Sequence, residues 1–221
     1  MSKLIFKNKS SYNIDDMLDI IEILRSPNGC PWDREQTHKS IKREFIEECY
    51  EAVEAIDTEN SELLKEELGD VLLQVLMHCE IEKENACFQF GDVVNDLAKK
   101  LIVRHPHVFS DTVVSSTDEV LTNWDKIKQL NKNQKTLKET FESITTAMPA
   151  LMRYQKYAKK AIKYKIKNFD NSCTISLSSN SDEKEIGNAL AKIVAIAQLN
   201  GIDAEQALSL VTKKEIDKID I

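Results

Sequence analysis

The feature that most constrains the fold of this chain is a pair of helical segments within residues 40–82, joined by a short polar turn. The two segments carry five acidic residues in two groups: Glu47, Glu48, Glu51, Glu67 and Asp70. Acids three residues apart lie on one helix face. Because both groups stand roughly 9 Å from the turn at about 1.5 Å per residue, an antiparallel hairpin brings them to the same height.

The second segment is apolar around nearly its whole circumference, which predicts a helix that is buried on most sides. Burying a carboxylate is costly unless it is paired or binds a cation. We expect the nearby Lys42, Arg43 and Lys65 to project elsewhere. A solvated acidic face is the competing interpretation. We predict instead that a hard divalent cation, Mg²⁺ with Mn²⁺ as the alternative, is bound by four of the acids: Glu48, Glu51, Glu67 and Asp70.

Composition supports a helical protein with a small ligand. Of 221 residues, 42% are hydrophobic, and five Gly and four Pro leave little room for the turns of an all-β fold. We therefore predict an all-α fold. Helical periodicity predicts further helices at residues 15–24, 88–103, 118–129 and 141–164. The net charge of −7 argues against a nucleic acid or an anionic membrane as partner.

Cysteine usage and hydrophobic runs indicate the compartment. The five Cys are odd in number and include no C-x-x-C pair, so neither a disulfide framework nor a zinc site is indicated. Residues 1–11 lack the apolar core of a signal peptide, and no run has the length of a membrane span. We expect a cytoplasmic protein.

Four sequence motifs follow one another between residues 15 and 130. They are GCPWDREQTH at 29–38, EExxE at 47–51 with ELGD at 67–70, RHPHVF at 104–109, and WxxIK at 124–128. Their content and order resemble the signature of the MazG family of nucleoside triphosphate pyrophosphohydrolases, members of the all-α NTP pyrophosphohydrolase superfamily. One departure is Val103, which stands where many members carry an Arg.

The resemblance implies a reaction and a role for several residues. A nucleoside triphosphate would be cut between its α and β phosphates to give a monophosphate and diphosphate, as in the removal of unwanted nucleotides. Glu47, on the face next to the predicted metal ligands, would orient or deprotonate the attacking water. Arg104 and Lys128 would stabilise charge on the departing diphosphate. With Val103 in place of an Arg, we expect phosphate binding to be weaker or to depend on Lys128.

Residues 29–38 have two interpretations. Trp32 is either a surface plug over the core or, as the resemblance suggests, part of the nucleotide pocket. In the second interpretation the polar side chains of Asp33, Gln36 and Thr37 line the same pocket. The sequence leaves both interpretations open.

A change of character after residue 131 predicts two domains. Residues 1–131 form a MazG-like catalytic domain, and residues 132–221 form a degenerate, non-catalytic second repeat. In the second domain EIGN at 185–188 echoes ELGD, with Asn188 in place of the acidic ligand. Residues 168–181, where the other hairpin helix would lie, are rich in Asn and Ser. We therefore predict a truncated repeat that holds no metal.

Other functions are weighed against this one. A carboxylate di-iron bundle needs Glu-x-x-His on two helices, and neither Glu48 nor Glu67 has a His three residues on. A nucleotide-binding or structural protein with weakened catalysis is the non-enzyme alternative, which the intact set of five acids opposes. A hydrolase that lowers an alarmone is a further alternative.

The predicted hairpin also bears on assembly. Its second helix is apolar almost all round, and a bundle needs about four helices to enclose such a core. The second repeat, if truncated, is a poor source of the missing helices. We therefore predict a homodimer in which the hairpins of two chains form a shared four-helix bundle with a metal site on each side.

Overall fold

The computed structural model describes residues 6–112, 114–117, 119, 120, 123, 124, 127, 136–166, 169, 175, 177–216 and 218. These residues form ten α-helices and no strand, so the all-α prediction is confirmed. None of those helices combines the length and hydropathy that a membrane span requires. The chain divides into two compact units, Met1–Trp124 and Asp125–Ile221. The predicted boundary at residue 131 lies outside the described residues and stays a prediction.

The first unit contains six of these helices. They are α1 (Ile14–Arg25), α2 (Pro31–Glu35), α3 (Lys42–Asp57), α4 (Ser61–Glu84), α5 (Phe90–Arg104) and α6 (Pro106–Phe109). Asn13 and Asp16 form a capping box that begins α1. Pro31 and Pro106 begin α2 and α6, where the missing N–H has no intrahelical partner to lose. The helices predicted at 15–24 and 88–103 are α1 and α5.

The core of the first unit lies at the end of the α3–α4 hairpin that is distant from its turn. Its buried residues come from α1, from the start of α3 and from the second half of α4: Ile21, Ile41, Leu76, Met77 and Ile81. Leu76 is 1% exposed, and burying such a side chain contributes about 1.5–3 kcal/mol. Packing against α1 therefore holds the hairpin at this end.

The other half of the hairpin remains exposed. Five large apolar residues there have exposed side chains: Tyr50, Val53, Ile56, Leu68 and Leu72. The prediction that α4 is buried on most sides is wrong for the single chain, since Leu68 is 55% exposed. The physical reason is that the core cluster includes α4 residues only from Leu73 onward, so the first half of α4 lies outside this cluster.

The second unit contains the other four described helices. They are α7 (Leu137–Glu142), α8 (Ala150–Lys163), α9 (Glu183–Leu199) and α10 (Ala204–Ile216). The helical region predicted at 141–164 is interrupted before Pro149, which lacks a backbone N–H and restricts the residue before it. α9, which contains the EIGN echo, packs against α8. Small buried residues line this pair: Ala158, Ala161, Ala189 and Ala195.

Two predictions fall largely on residues that the structure does not describe. They are the helix at 118–129 and the polar segment at 168–181. The truncation of the second repeat therefore stays a prediction.

Candidate metal centre and nucleotide site

The turn of the α3–α4 hairpin fixes the register of the acidic residues. It spans residues 58–60, and Glu59 adopts a positive φ of 53°. The Asn60 side chain accepts a hydrogen bond from the backbone N–H of Leu63 at 3.1 Å. This N-cap begins α4 at Ser61, so the positions of Glu67 and Asp70 opposite α3 follow from a local sequence signal.

Glu48 of α3 and Glu67 and Asp70 of α4 form the centre of the site. One carboxylate oxygen of each lies within 4.8 Å of the other two. Glu67 is buried at 8% exposure, while Glu48 and Asp70 are half-buried. Three convergent carboxylates are the donor set that Mg²⁺ and Mn²⁺ accept in proteins.

Glu51 borders this group from the exposed side of α3. Besides burial, its charge contributes to the raised pKa of both Glu48 and Glu67. The fold therefore brings three of the four predicted metal ligands within 4.8 Å of one another, with Glu51 beside them. The role of all four as ligands stays a prediction.

Burial and mutual repulsion affect the protonation of two of these carboxyl groups. Burial is the main cause of the raised pKa of Glu48, and the charges of Asp70 and Glu51 add to it. Burial is also the main cause of the raised pKa of Glu67, followed by the charge of Glu51. A cation among these groups would favour their ionised forms. The residues present therefore fit a hard divalent ion.

Glu47 lies outside this group. It is an exposed residue of α3 and lines an open cavity of about 490 Å³, together with Lys42, Arg43, Tyr50 and Glu51. Because Glu51 borders both this cavity and the carboxylate group, the cavity opens beside the candidate metal centre. Lys42 and Arg43, which we expected to project away from the acidic cluster, line this cavity, and its lining does not include Glu48, Glu67 or Asp70.

Residues 29–38 contain the short helix α2, which packs against α1. At Gly29 the backbone of this segment lies against α1: a Cβ at this position would lie 2.1 Å from the carbonyl oxygen of Ile23. A larger residue would therefore displace the segment. Trp32 is 63% exposed, which argues against the plug interpretation. Its place in a nucleotide pocket stays a prediction.

Gln36 and Thr37 make local hydrogen bonds in the connection between α2 and α3. The Gln36 amide donates to the Trp32 carbonyl at 2.9 Å and accepts from the Ser40 hydroxyl at 2.7 Å. Thr37 and Ser40 each donate a backbone N–H to the hydroxyl oxygen of the other. These bonds stabilise the connection. Asp33 lies within α2 and is half-buried.

Arg104 ends α5 and lies over the ring of Trp124, with its guanidinium carbon 5.1 Å from the ring centroid. Its Nε is buried and has no hydrogen-bond partner in the described part of the protein. An unpartnered buried donor is costly, and an anionic ligand would satisfy it. The other predicted cation, Lys128, lies outside the described residues.

Sequence reasoning missed a polar cluster at the far end of α4. His38 Nδ1 lies 2.7 Å from His78 Nδ1, and His38 Nε2 is hydrogen-bonded to the Glu82 carboxylate. Arg25 forms an ion pair with Glu84. The only local signal was the spacing of four between His78 and Glu82, which puts both on one face of α4.

Comparison with known proteins assigns the family. A family model described as the MazG nucleotide pyrophosphohydrolase domain matches residues 36–109. Over 92% of its length the chain is 38% identical to the nucleoside triphosphate pyrophosphohydrolase/pyrophosphatase MazG of Thermotoga maritima, and it covers 83% of that protein. The chain belongs to the MazG family.

Two further relatives match over shorter parts of their own lengths. The chain is 44% identical to the uncharacterized protein YabN of Bacillus subtilis over 71% of this chain and 31% of that protein. It is 42% identical to the nucleoside triphosphate pyrophosphohydrolase of Escherichia coli over 66% of this chain and 56% of that protein. The chain thus spans about a third of the first protein and just over half of the second. The MazG match includes all five acids and Arg104.

Proposed function

We propose that this MazG family member is a Mg²⁺-dependent nucleoside triphosphate pyrophosphohydrolase, with Mn²⁺ as the alternative metal. It hydrolyses a nucleoside triphosphate to the monophosphate and diphosphate. The convergence of Glu48, Glu67 and Asp70 within 4.8 Å carries the proposal. The names of the T. maritima and E. coli relatives, both nucleoside triphosphate pyrophosphohydrolases, support the reaction class. A cytoplasmic location and a role in removing unwanted nucleotides stay predictions.

In this proposal the carboxylates have two roles. Glu48, Glu51, Glu67 and Asp70 hold the metal, which when bound supplies positive charge against the phosphates and acidifies water. Glu47 accepts the proton of the attacking water, or orients it. Support for a separate role of Glu47 comes from its exposure in the cavity beside the other acids, where substrate and water have access.

Cationic side chains bind the phosphates in this proposal. Arg104 has a buried Nε donor without a protein partner, and a guanidinium matches the oxygens of a phosphate through paired hydrogen bonds. We propose that Arg104 and Lys128 stabilise the diphosphate as the P–O bond breaks. Trp32, Asp33, Gln36 and Thr37 contact the nucleoside, and the exposed Trp32 ring offers a stacking surface.

We propose in addition that a second copy of the chain covers the exposed half of the hairpin. Leu68 directly follows Glu67 and is 55% exposed, and Val53 of α3 is 45% exposed. Leaving such apolar area in water costs about 25 cal/mol per Å². A homodimer that pairs two hairpins buries this surface beside both metal centres.

The reaction is tested by its products. Purified full-length chain is incubated with Mg²⁺ and a panel of nucleoside triphosphates, and the phosphorus-containing products are identified by ³¹P NMR. We expect the monophosphate and diphosphate. Formation of orthophosphate and a nucleoside diphosphate would contradict the proposed cleavage position, and absence of turnover with all nucleotides would reject the proposed enzyme.

A further inference from the structure

Arg25, the last residue of α1, is a buried cation at only 6% exposure. Its Nε and Nη2 each donate to a different carboxylate oxygen of Glu84 at 2.8 Å. Its Nη1 donates to the backbone carbonyls of Asp33 at 2.6 Å and Gln36 at 3.2 Å. One guanidinium therefore joins the end of α1, the end of α4 and the end of α2.

The helical turn α2 depends on such outside contacts. A helix of five residues is too short to be stable alone, because nucleation is unfavourable. The carbonyls of Asp33 and Gln36 lie at its C-terminal end, where a cation is favourable. The Asp33 carbonyl accepts one hydrogen bond from the Gln36 N–H at 3.2 Å and a second from Arg25. Arg25 also donates to the Gln36 carbonyl, so its guanidinium joins the C-terminal end of α2 to α1.

The C-terminal end of α4 also contacts the connection that follows α2. Glu82, two residues before Glu84, is hydrogen-bonded to His38. Residues 33–38 are thus linked to the last turn of α4 at both ends, directly through His38 and Glu82 and indirectly through Arg25 and Glu84. Glu67 and Asp70 lie on the same continuous helix, which therefore connects the candidate metal centre to the attachment points.

We propose that Arg25 and Glu84 are positioning residues for nucleotide binding. They fix the segment that carries Trp32 relative to the helix that carries the acidic ligands. This inference rests on the proposed function, because it requires residues 29–38 to contact the nucleotide. The two bonds from Arg25 to backbone carbonyls support a positioning role, since an ion pair that merely joined α1 to α4 would not need them.

The chain offers a matched control for this role. Lys83 of α4 and Glu22 of α1 form an ion pair at 2.7 Å between the same two helices. Neither residue has a described hydrogen bond or ion pair to residues 29–38. The Glu22 side chain is 59% exposed and that of Glu84 is 42% exposed, so both truncations change a partly exposed carboxylate on the same helix pair. Glu84 differs in that it pairs with the buried Arg25 through two hydrogen bonds.

The test compares Arg25→Lys, Glu84→Ala and the control Glu22→Ala in the full-length chain. Lysine keeps the charge but not the planar fork. We expect KM for the nucleoside triphosphate to rise about tenfold in Arg25→Lys and Glu84→Ala, with kcat within about twofold of wild type. Amide hydrogen exchange should become faster in residues 31–37 of these two variants and remain unchanged in α3. Glu22→Ala should change neither readout.

The possible outcomes distinguish a failure of the positioning role from a failure of the proposed function. Normal wild-type turnover, with KM no higher in Glu84→Ala than in Glu22→Ala, overturns the positioning role alone. A fall in kcat without a rise in KM also overturns it. A wild-type chain that turns over no nucleoside triphosphate rejects the proposed function and this inference together. If Arg25→Lys does not fold, Glu84→Ala decides, because it changes a partly exposed side chain.

Discussion

The α3–α4 hairpin and the α8–α9 pair are both built from two packed helices, but they differ in charge. Residues 1–124 contain 13 Lys and Arg against 25 Asp and Glu, a net charge of −12. Residues 125–221 contain 17 against 12, a net charge of +5. Where α3 carries acids, α8 carries cations: Arg153, Lys156, Lys159, Lys160 and Lys163. The acids of the first unit therefore have no counterpart on α8.

The first glutamate of the ELGD and EIGN motifs has different surroundings in the two helix pairs. It is Glu67 in α4 and Glu185 in α9. Glu67 lies in the interior of α4 and is buried, and the charge of Glu51 contributes to its raised pKa. Glu185 lies in the first turn of α9, is exposed and accepts a hydrogen bond from the backbone N–H of Asp182 as part of a capping box. The same residue type is a candidate metal ligand in one pair and a helix cap in the other. Position along the helix and the facing side chains make the difference.

The sharpest test of this comparison is the paired substitution Glu67→Gln and Glu185→Gln. Glutamine preserves the shape of the side chain but removes its charge. We expect Glu67→Gln to lower kcat/KM at least about 1000-fold, because metal coordination is lost. Glu185→Gln should leave it unchanged. The measurement is diphosphate release, with circular dichroism as the control for folding, and equal activities of the two variants would refute the metal assignment.

The second expected effect is loss of self-association. Val53 on α3 is 45% exposed and Leu190 on α9 is 44% exposed, so a lysine at either position adds charge to a similarly exposed apolar site. We expect Val53→Lys to convert a dimer to a monomer, because a charge would be buried in the hairpin interface. Leu190→Lys should remain dimeric. Light scattering measures the mass of each variant.

A chain truncated after residue 131 tests whether the first unit functions without the second. We expect it to dimerise and to hydrolyse nucleotides, because the candidate ligands and the exposed hairpin residues belong to the first unit. A monomeric, inactive truncation that retains its helices would mean that the second unit completes the site.

The third expected effect is stabilisation by metal. Added Mg²⁺ should stabilise the wild-type fold by about 2.7 kcal/mol at a concentration one hundred times its Kd. Glu67→Gln should lose this response and gain stability without metal, because repulsion among the acids decreases. Asn188→Asp restores the acid missing from EIGN but should gain no response to Mg²⁺, since α8 supplies no facing carboxylate. Thermal unfolding with and without Mg²⁺ measures all three proteins.

The hairpin and its acids could be predicted from sequence because their signals are local. Asn60 and the turn set where α4 begins, and the spacing of three sets which acids share a face. The cost of burying Glu67 without a cation then pointed to a metal. Each of these steps uses residues within one or two helical turns of one another, for which periodicity is informative.

The remaining features depend on contacts between distant residues. Arg25 and Glu84 are 59 positions apart, and His38 and His78 are 40 apart. No local period predicts that these side chains meet. The exposure of Leu68 was missed for a related reason, since an apolar helix face indicates that something covers it but not whether the cover comes from the same chain.

The smallest expected effect is a pH dependence of stability in the first unit, which contains all four His of the chain. Burial lowers the pKa of His78 from its ordinary 6.5, and the charge of His38 adds to this effect. The folded protein takes up a proton at His78 less readily than the unfolded chain does. The contribution of neutral His78 to the free energy of unfolding is therefore fully present above pH 6.5 and is lost as pH falls. We expect the unfolding temperature of wild type to fall relative to His78→Gln between about pH 7 and about pH 5.5.

The difference between these two proteins isolates the contribution of His78. Glu48 and Glu67, whose raised pKa values act in the opposite direction, are present in both proteins and cancel. The lowered pKa of Glu82, which results first from its hydrogen bond with His38, affects stability only at pH values below the ordinary 4.5 of a glutamate. A difference that stays constant across this range would mean that His78 is not held neutral by burial. The second unit has no His, so its unfolding should not respond to pH through histidine protonation in the same range.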